Sequence, residues 1–110
     1  MKKIAQALCF AAIIASPTSH AAATQTSWGK IILHMTGWGV DDVRVQLTGA
    51  VINPANCSIP DGYMTDETDS GNHAHQSALL AAYASGKDVS VVIDGCNSVG
   101  RPKIVGVGLR

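Results

Sequence analysis

Two histidines and three acids lie close together in the chain and could bind a metal. His73 and His75 are separated by one residue, and Asp66, Glu67 and Asp69 precede them. Imidazole nitrogens and carboxylate oxygens are ligands of zinc and copper. Two histidines at i and i+2 do not share a helix face, so only an extended segment presents both to one ion. The alternative is a solvated loop whose acids are favoured by a following helix N-terminus. On this second interpretation we expect no metal and no cofactor.

Patterns typical of an enzyme are weak. No serine lies in a Gly-x-Ser-x-Gly motif. Acids that could form a glycosidase pair are present, but nothing in the sequence positions them, and surface acids are the ordinary explanation. They are Asp41, Asp42, Asp61 and Asp94. We therefore expect a protein without catalytic residues.

An aromatic residue at a turn is a stronger candidate for ligand contact. Trp38 lies between two glycines, where the sequence predicts the tip of a hairpin. A tryptophan there does not easily reach the core, and exposed aromatics mark ligand or partner contacts. A second loop, residues 95–101, carries Asn97, Ser98 and Arg101. An aromatic face with amide and guanidinium donors suits a sugar. The alternative is that Trp38 folds back over the domain or packs in a subunit interface.

The N-terminus has the anatomy of a signal peptide. Lys2 and Lys3 precede an apolar run over residues 4–15, and small residues then favour cleavage after Ala21 or Ala23. The run is too short for a membrane span, which takes about 20 apolar residues. Cys9 lies too early to be a lipoprotein cysteine. We expect an exported protein of the periplasm or the medium, without membrane insertion.

Length and charge restrict the remaining chain to one domain. Of 110 residues, 46% are hydrophobic and 15% are charged, which disfavours a disordered tail or a coiled coil. Residues 22–110 are long enough for a single core. Removing Lys2 and Lys3 leaves six basic against eight acidic side chains, a net charge of −2. Arg44, Arg101 and Lys103 could form a small basic patch, but this balance disfavours nucleic acid as a partner.

Cys57 and Cys96 are the two cysteines beyond the predicted signal peptide. In an oxidising compartment a disulfide is the expected state. It would close a loop of about 40 residues and stabilise the fold by roughly 3–4 kcal/mol. A redox pair or a thiolate metal site is the alternative, but the chain has no Cys-x-x-Cys motif.

Hydrophobic alternation predicts five strands, and composition predicts one helix. The first strand is expected to bury Ile31, Leu33 and Met35, and the last to bury Val105, Val107 and Leu109 rather than Ile104. Residues 22–27 are expected to be loose. The predicted strands cover residues 28–36, 42–48, 61–65, 88–94 and 102–109, and the helix covers residues 73–85. The order β-β-β-α-β-β is that of a five-stranded OB-fold barrel, a mainly β domain with one helix.

Several segments resemble a group of small exported bacterial proteins of unknown function. They run from Cys57 through Tyr63, the stretch Leu79–Lys87, Asp94-Gly95-Cys96 and residues 101–107. That group is distantly similar to the OB-fold B subunits of subtilase and pertussis-like toxins. The resemblance implies a glycan-binding subunit that assembles as a homo-pentamer and carries a toxic partner chain. It implies no catalytic residue, and we transfer no glycan-contacting residue from it.

Together these observations predict an exported, non-catalytic binding module. One hypothesis is a glycan-binding protein that uses Trp38, Asn97, Ser98 and Arg101. The alternative is a periplasmic accessory or inhibitor protein that binds another protein.

Overall fold

Six strands and one helix make up the computed structural model, which describes residues 22–37 and 39–110. The predicted signal peptide, residues 1–21, and Trp38 lie outside the described residues. The strands are β1 (Thr24–Gln25), β2 (Ile31–Thr36), β3 (Val43–Leu47), β4 (Tyr63–Met64), β5 (Val89–Cys96) and β6 (Pro102–Leu109), and the helix is α1 (Asn72–Ser85). The prediction of a mainly β domain with one helix is confirmed. Among the described residues, no helix is both long and apolar enough to span a bilayer.

The strands form one mixed sheet in the order β1-β5-β6-β4-β3-β2. Neighbours are antiparallel except β4 and β6, which pair in parallel through Met64 and Lys103. Within the described residues this sheet is not closed into a barrel. The sheet has six strands rather than the predicted five, because residues 24–25 are not loose: Thr24 pairs with Ile93 of β5.

The segment between β1 and β2 contacts strands that lie near opposite edges of the sheet. The Gly29 amide donates to the Val89 carbonyl of β5 (2.9 Å), and the Thr48 amide donates to the carbonyl of Lys30 (3.0 Å). Gly29 therefore contacts the first residue of β5, and the next residue, Lys30, contacts the residue that follows β3.

The core is built from the inward faces of β3 and β5, as their alternation predicts. It also contains Tyr63 of β4 and Leu79 and Ala82 of α1. The helix ends at Gly86, whose left-handed φ of 65° allows its amide to donate to the Ala82 carbonyl.

Register shifts overturn the predicted inward faces of β2 and β6. In β2 the pairing slips between Ile31 and Leu33, so that His34 lies opposite buried Val45 and Met35 lies outward opposite Arg44. The prediction that Met35 is buried is therefore wrong: its side chain is 37% exposed. One extra residue on a strand reverses the alternation beyond it.

A similar shift in β6 buries Ile104, which pairs with Ile93. The prediction that Ile104 faces outward is wrong for the same reason. Val107 packs against the core as predicted. The prediction that Leu109 is buried is wrong, because this residue at the end of β6 is 39% exposed.

The predicted disulfide between Cys57 and Cys96 is confirmed, with a Cα–Cα distance of 5.6 Å. It joins the long segment between β3 and β4 to the last residue of β5. This loop has no strand or helix of its own, so the crosslink fixes its position.

Replacing both cysteines by alanine should lower the free energy of unfolding by about 3–4 kcal/mol. Without the crosslink, the unfolded chain regains the conformational entropy that is lost by joining two residues 39 positions apart. Urea unfolding of the oxidised protein and of the C57A/C96A variant measures this difference. A loss below about 1 kcal/mol would show that the crosslink contributes little beyond the native contacts around it.

Candidate functional site

A groove of about 360 Å³ opens where the β2–β3 loop meets the β5–β6 loop. Strands β2, β3 and β4 contribute to its lining, and so does the segment before β4, residues 48–62, which we call the wall segment. The lining contains five apolar side chains, two arginines and two small residues: Met35, Val40, Ile59, Met64, Val99, Arg44, Arg101, Thr36 and Gly37. These residues include members of the two loops that the sequence selects for ligand contact.

Two arginines beside the groove share one carboxylate. Arg101 binds Asp61 through Nε–Oδ1 (2.7 Å) and Nη2–Oδ2 (3.3 Å). Arg44 reaches the same carboxylate through Nη2–Oδ2 (3.1 Å) and also donates to the Asp61 carbonyl (3.0 Å). Both arginine side chains are largely buried, at 15% and 17% exposure. The predicted proximity of Arg44 and Arg101 thus has a specific cause, the shared acid between them.

The charge of this cluster is positive. Hydrogen bonds from Arg101, together with the charges of Arg101 and Arg44, lower the pKa of Asp61 below its ordinary value. Asp61 is therefore ionised at neutral pH, and two guanidinium groups face a single carboxylate.

The other guanidinium nitrogens have weak partners. Arg44 Nη1 lies 3.9 Å from Met35 Sδ, and Arg101 Nη1 lies 3.8 Å from Met64 Sδ. A thioether is a weak acceptor. Arg44 Nε is buried and has no hydrogen-bond partner within the described residues. Strong donors therefore lie against the methionines that line the groove.

The β5–β6 loop is shaped from within by Asn97. Its Oδ1 accepts hydrogen bonds from the amides of Val99, Gly100 and Arg101 (3.2, 3.1 and 2.9 Å), and its Nδ2 donates to the Thr65 carbonyl (3.2 Å). The side chain is buried. Asn97 therefore holds the loop in shape rather than presenting its amide to the groove.

The other loop residues predicted for ligand contact lie at or beside the groove. Arg101 lines it, and Ser98 is exposed next to the groove-lining Val99. Trp38 lies outside the described residues, but its sequence neighbour Gly37 also lines the groove.

Three contacts join the wall segment to the β5–β6 loop. They are the Cys57–Cys96 disulfide, the hydrogen bond from the Ile59 amide to the Gly100 carbonyl (2.9 Å), and the Asp61–Arg101 ion pair. We call these three contacts the tether. Gly100 has a φ of 103°, and a Cβ there would lie 2.5 Å from Ser58 Oγ, so glycine permits the close approach.

The β2–β3 loop, which contributes Gly37 and Val40 to the groove, is fixed to the helix through Asp41. Its carbonyl accepts hydrogen bonds from Asn72 Nδ2 (2.6 Å) and Gln76 Nε2 (3.0 Å), and its carboxylate contacts His73 Nε2 at 2.5 Å. His75 Nε2 instead lies 3.9 Å from Asp69 Oδ2. The two histidines thus face different carboxylates, and within the described part of the chain no three metal-binding side chains converge.

The carboxyl group of Asp42, the residue before β3, is buried. The sequence instead predicts that Asp42 lies on the outer face of the strand. Asp42 is 2% exposed; its Oδ1 accepts from Thr65 Oγ1 (3.2 Å), and its Oδ2 has no partner among the described residues. Burial raises the pKa of Asp42, and the nearby charges of Asp66, Glu67 and Asp41 add to this. No local pattern marks the position, because the burial comes from the packing of β4 against β3.

Comparison of the chain with protein-family models, with curated proteins and with solved structures finds no match. The groove therefore has to be interpreted from its own geometry.

Replacing Asp42 by asparagine should raise the melting temperature by a few degrees at pH 7. The pKa of Asp42 is higher in the folded protein than in the unfolded chain, so the folded state loses stability as pH rises towards and through the folded pKa. Asparagine carries no charge and avoids this loss. The gain should shrink as pH falls towards the ordinary carboxyl range of about 4. Thermal unfolding at both pH values, with the exposed Asp94→Asn as control, measures it. An equal change at both pH values would contradict this assignment.

Proposed function

We propose that this chain is an exported, non-catalytic binding module of the OB type that binds a protein partner in its loop-end groove. The observation that carries the proposal is the position of the groove. In OB folds the ligand-binding face comprises the second and third strands and the loops after strands one and four. Here the groove is lined by Arg44 of β3, Met64 of β4, Val40 of the β2–β3 loop and Val99 of the β5–β6 loop.

The strand order supports the OB assignment. From β2 it runs β2-β3-β4-β6-β5, with the helix between β4 and β5 and with β4 parallel to β6. Gly29 contacts Val89 of β5, and Lys30 contacts Thr48 after β3. Residues 24–36 therefore resemble a single first strand that has β5 on one side and β3 on the other, as in a barrel. On this interpretation β1 and β2 are two parts of one first strand, which begins before the predicted residues 28–36.

The disulfide supports export. Disulfides persist in oxidising compartments and are rare in the cytosol. Together with the predicted signal peptide of residues 1–21, the Cys57–Cys96 crosslink favours the periplasm or the medium as the place of action.

The lining of the groove favours a protein as the ligand. Met35, Ile59 and Val99 are 36–41% exposed, and Val40 and Met64 line the groove beside them. Methionine adapts its shape to varied partners and is common at binding surfaces. Sugar hydroxyls need several free donors and acceptors; the available groups here are donors of two arginines, and the amide of Asn97 is already bonded within the protein. Apolar side chains from another protein match this surface better.

Adding a charge to the lining should abolish partner binding. We expect Val99→Asp and Ile59→Asp to lose a stoichiometric partner that co-purifies with the natural protein from extracts of its own cells, because a carboxylate would be desolvated in the interface. Leu80→Asp is the matched control, since Leu80 is 55% exposed on the helix. Partner recovery is quantified by mass spectrometry of the purified complex. Equal recovery with all three variants would place the interface elsewhere.

Glycan binding is the second candidate, and one observation favours it. Trp38 lies between Gly37, which lines the groove, and Gly39 in the sequence, and a tryptophan face can stack on a sugar ring.

On the glycan candidate, Trp38→Ala should reduce binding to an immobilised glycan panel at least about fivefold, because loss of one stacked aromatic removes about 1 kcal/mol or more. Circular dichroism checks that the variant is folded. Unchanged binding would remove Trp38 from the site. Native mass spectrometry of the same sample tests the homo-pentamer that the resemblance implies.

A further inference from the structure

We infer that the partner is anchored in the groove by a carboxylate. The protein segment that fills the groove carries an acidic side chain flanked by apolar side chains, and the acid binds Nη1 of Arg44 and of Arg101. This inference rests on the proposed function, because it assigns the chemistry of the partner at the same groove.

The donors available at the groove carry the argument. Arg44 and Arg101 use their Nη2 groups on Asp61, whereas their Nη1 groups face methionine sulfurs at 3.9 and 3.8 Å. Hydrogen bonds from a charged donor to a carboxylate are shorter and about twice as strong as neutral ones. An entering carboxylate would replace two weak sulfur contacts by two strong ion-paired hydrogen bonds.

The positions of the guanidinium groups are already fixed. Asp61 Oδ2 contacts both arginines, at 3.1 Å for Arg44 and 3.3 Å for Arg101, so the groups are held close together. Each side chain is more than four-fifths buried. A ligand acid therefore meets preorganised donors and does not have to immobilise two flexible side chains.

The charge balance selects an anion. Two guanidinium groups against one ionised carboxylate leave one positive charge beside the groove. The described residues as a whole carry six basic and eight acidic side chains, so this local charge is opposite in sign to the net charge of the domain. A single carboxylate neutralises it, while a cationic segment would be repelled.

The apolar part of the lining favours a ligand acid that is flanked by apolar side chains of the partner. The two arginines share the groove lining with five apolar side chains, Met35, Val40, Ile59, Met64 and Val99. The volume of about 360 Å³ lies at the lower end of ligand pockets, which suits a short segment rather than a whole helix face. An acid flanked by aliphatic side chains matches both parts of the surface.

Asp61 occupies the same guanidinium groups that the ligand needs and therefore acts as an internal competitor. Its negative charge offsets half of the positive charge that attracts the ligand acid. The substitution Asp61→Asn removes that charge, while the amide oxygen and the main-chain carbonyl of residue 61 still accept hydrogen bonds from the arginines, so it should strengthen carboxylate binding. If Asp61 had a purely structural role, its replacement would weaken binding instead.

The test uses two matched peptides, N-acetyl-Leu-Glu-Leu-amide and N-acetyl-Leu-Gln-Leu-amide, and the oxidised protein with ¹³C-labelled methionine methyl groups. We expect the glutamate peptide to shift the methyl signals of Met35 and Met64 saturably and to bind at least about fivefold more tightly than the glutamine peptide, since only it forms charge-assisted hydrogen bonds. Sodium glucuronate is the third probe, because it carries a carboxylate on a sugar ring.

The outcomes separate this inference from the proposed function. Equal affinity of both peptides at the methionines would overturn the carboxylate anchor and leave the groove as a protein-binding surface. Absence of any shift with either peptide would overturn both. A shift with glucuronate alone would overturn the inference in favour of an acidic glycan.

Two variants and one control complete the experiment. Asp61→Asn should raise the affinity for the glutamate peptide at least about threefold without changing that for the glutamine peptide. Arg101→Gln should remove the preference between the peptides, whereas Arg110→Gln, whose arginine packs on Trp28, should keep it. If Arg101→Gln does not fold, the comparison of the two peptides on the unsubstituted protein decides: equal affinity for both would overturn the inference.

Discussion

The covalent link between Cys57 and Cys96 is the constraint on which the groove depends. The chain between β3 and β4 runs from residue 48 to residue 62 without a strand or helix, and a loop of that length is ordinarily mobile unless it is tied down. The disulfide brings it to the end of β5, where the Ile59 amide reaches the Gly100 carbonyl and Asp61 reaches Arg101. Two loops are thereby joined into one wall, and binding surfaces are often built from loops that a scaffold positions in this way.

The electrostatics of the groove follow from the same arrangement. Asp61 belongs to the tethered segment, so its carboxylate is delivered between arginines from β3 and from the start of β6. Buried ion pairs add little net stability, because the cost of desolvating the two charges offsets their attraction. Their value here is positional, because they direct the remaining guanidinium nitrogens towards Met35 and Met64 at the groove surface. The fold thus presents oriented charge within an apolar lining, and the proposed recognition of a protein partner rests on this arrangement.

Hydrophobic alternation and the number of cysteines correctly predicted the inward face of β3 and the disulfide. The alternation of Val43 and Val45 placed β3 correctly, and two cysteines allowed only one pairing. The sequence also selected the two loops that meet at the groove. It did not predict the outward position of Met35, because a one-residue register shift leaves no mark in hydrophobic alternation. Nor did it predict that Asp61 joins the arginines or that Asn97 is buried, since both depend on contacts between distant segments.

The central claim, that the tether holds a preformed groove wall, is tested most directly by amide hydrogen exchange of the oxidised protein, followed by nuclear magnetic resonance. The amides of Ile59 and Arg101 lie outside the strands, yet both are hydrogen-bonded within the tethered loops. We expect them to exchange at least about a hundredfold more slowly than in an unstructured peptide, as hydrogen-bonded amides in stable structure do. Exchange of both amides at the rate of an unprotected loop, while β3 remains protected, would contradict the claim.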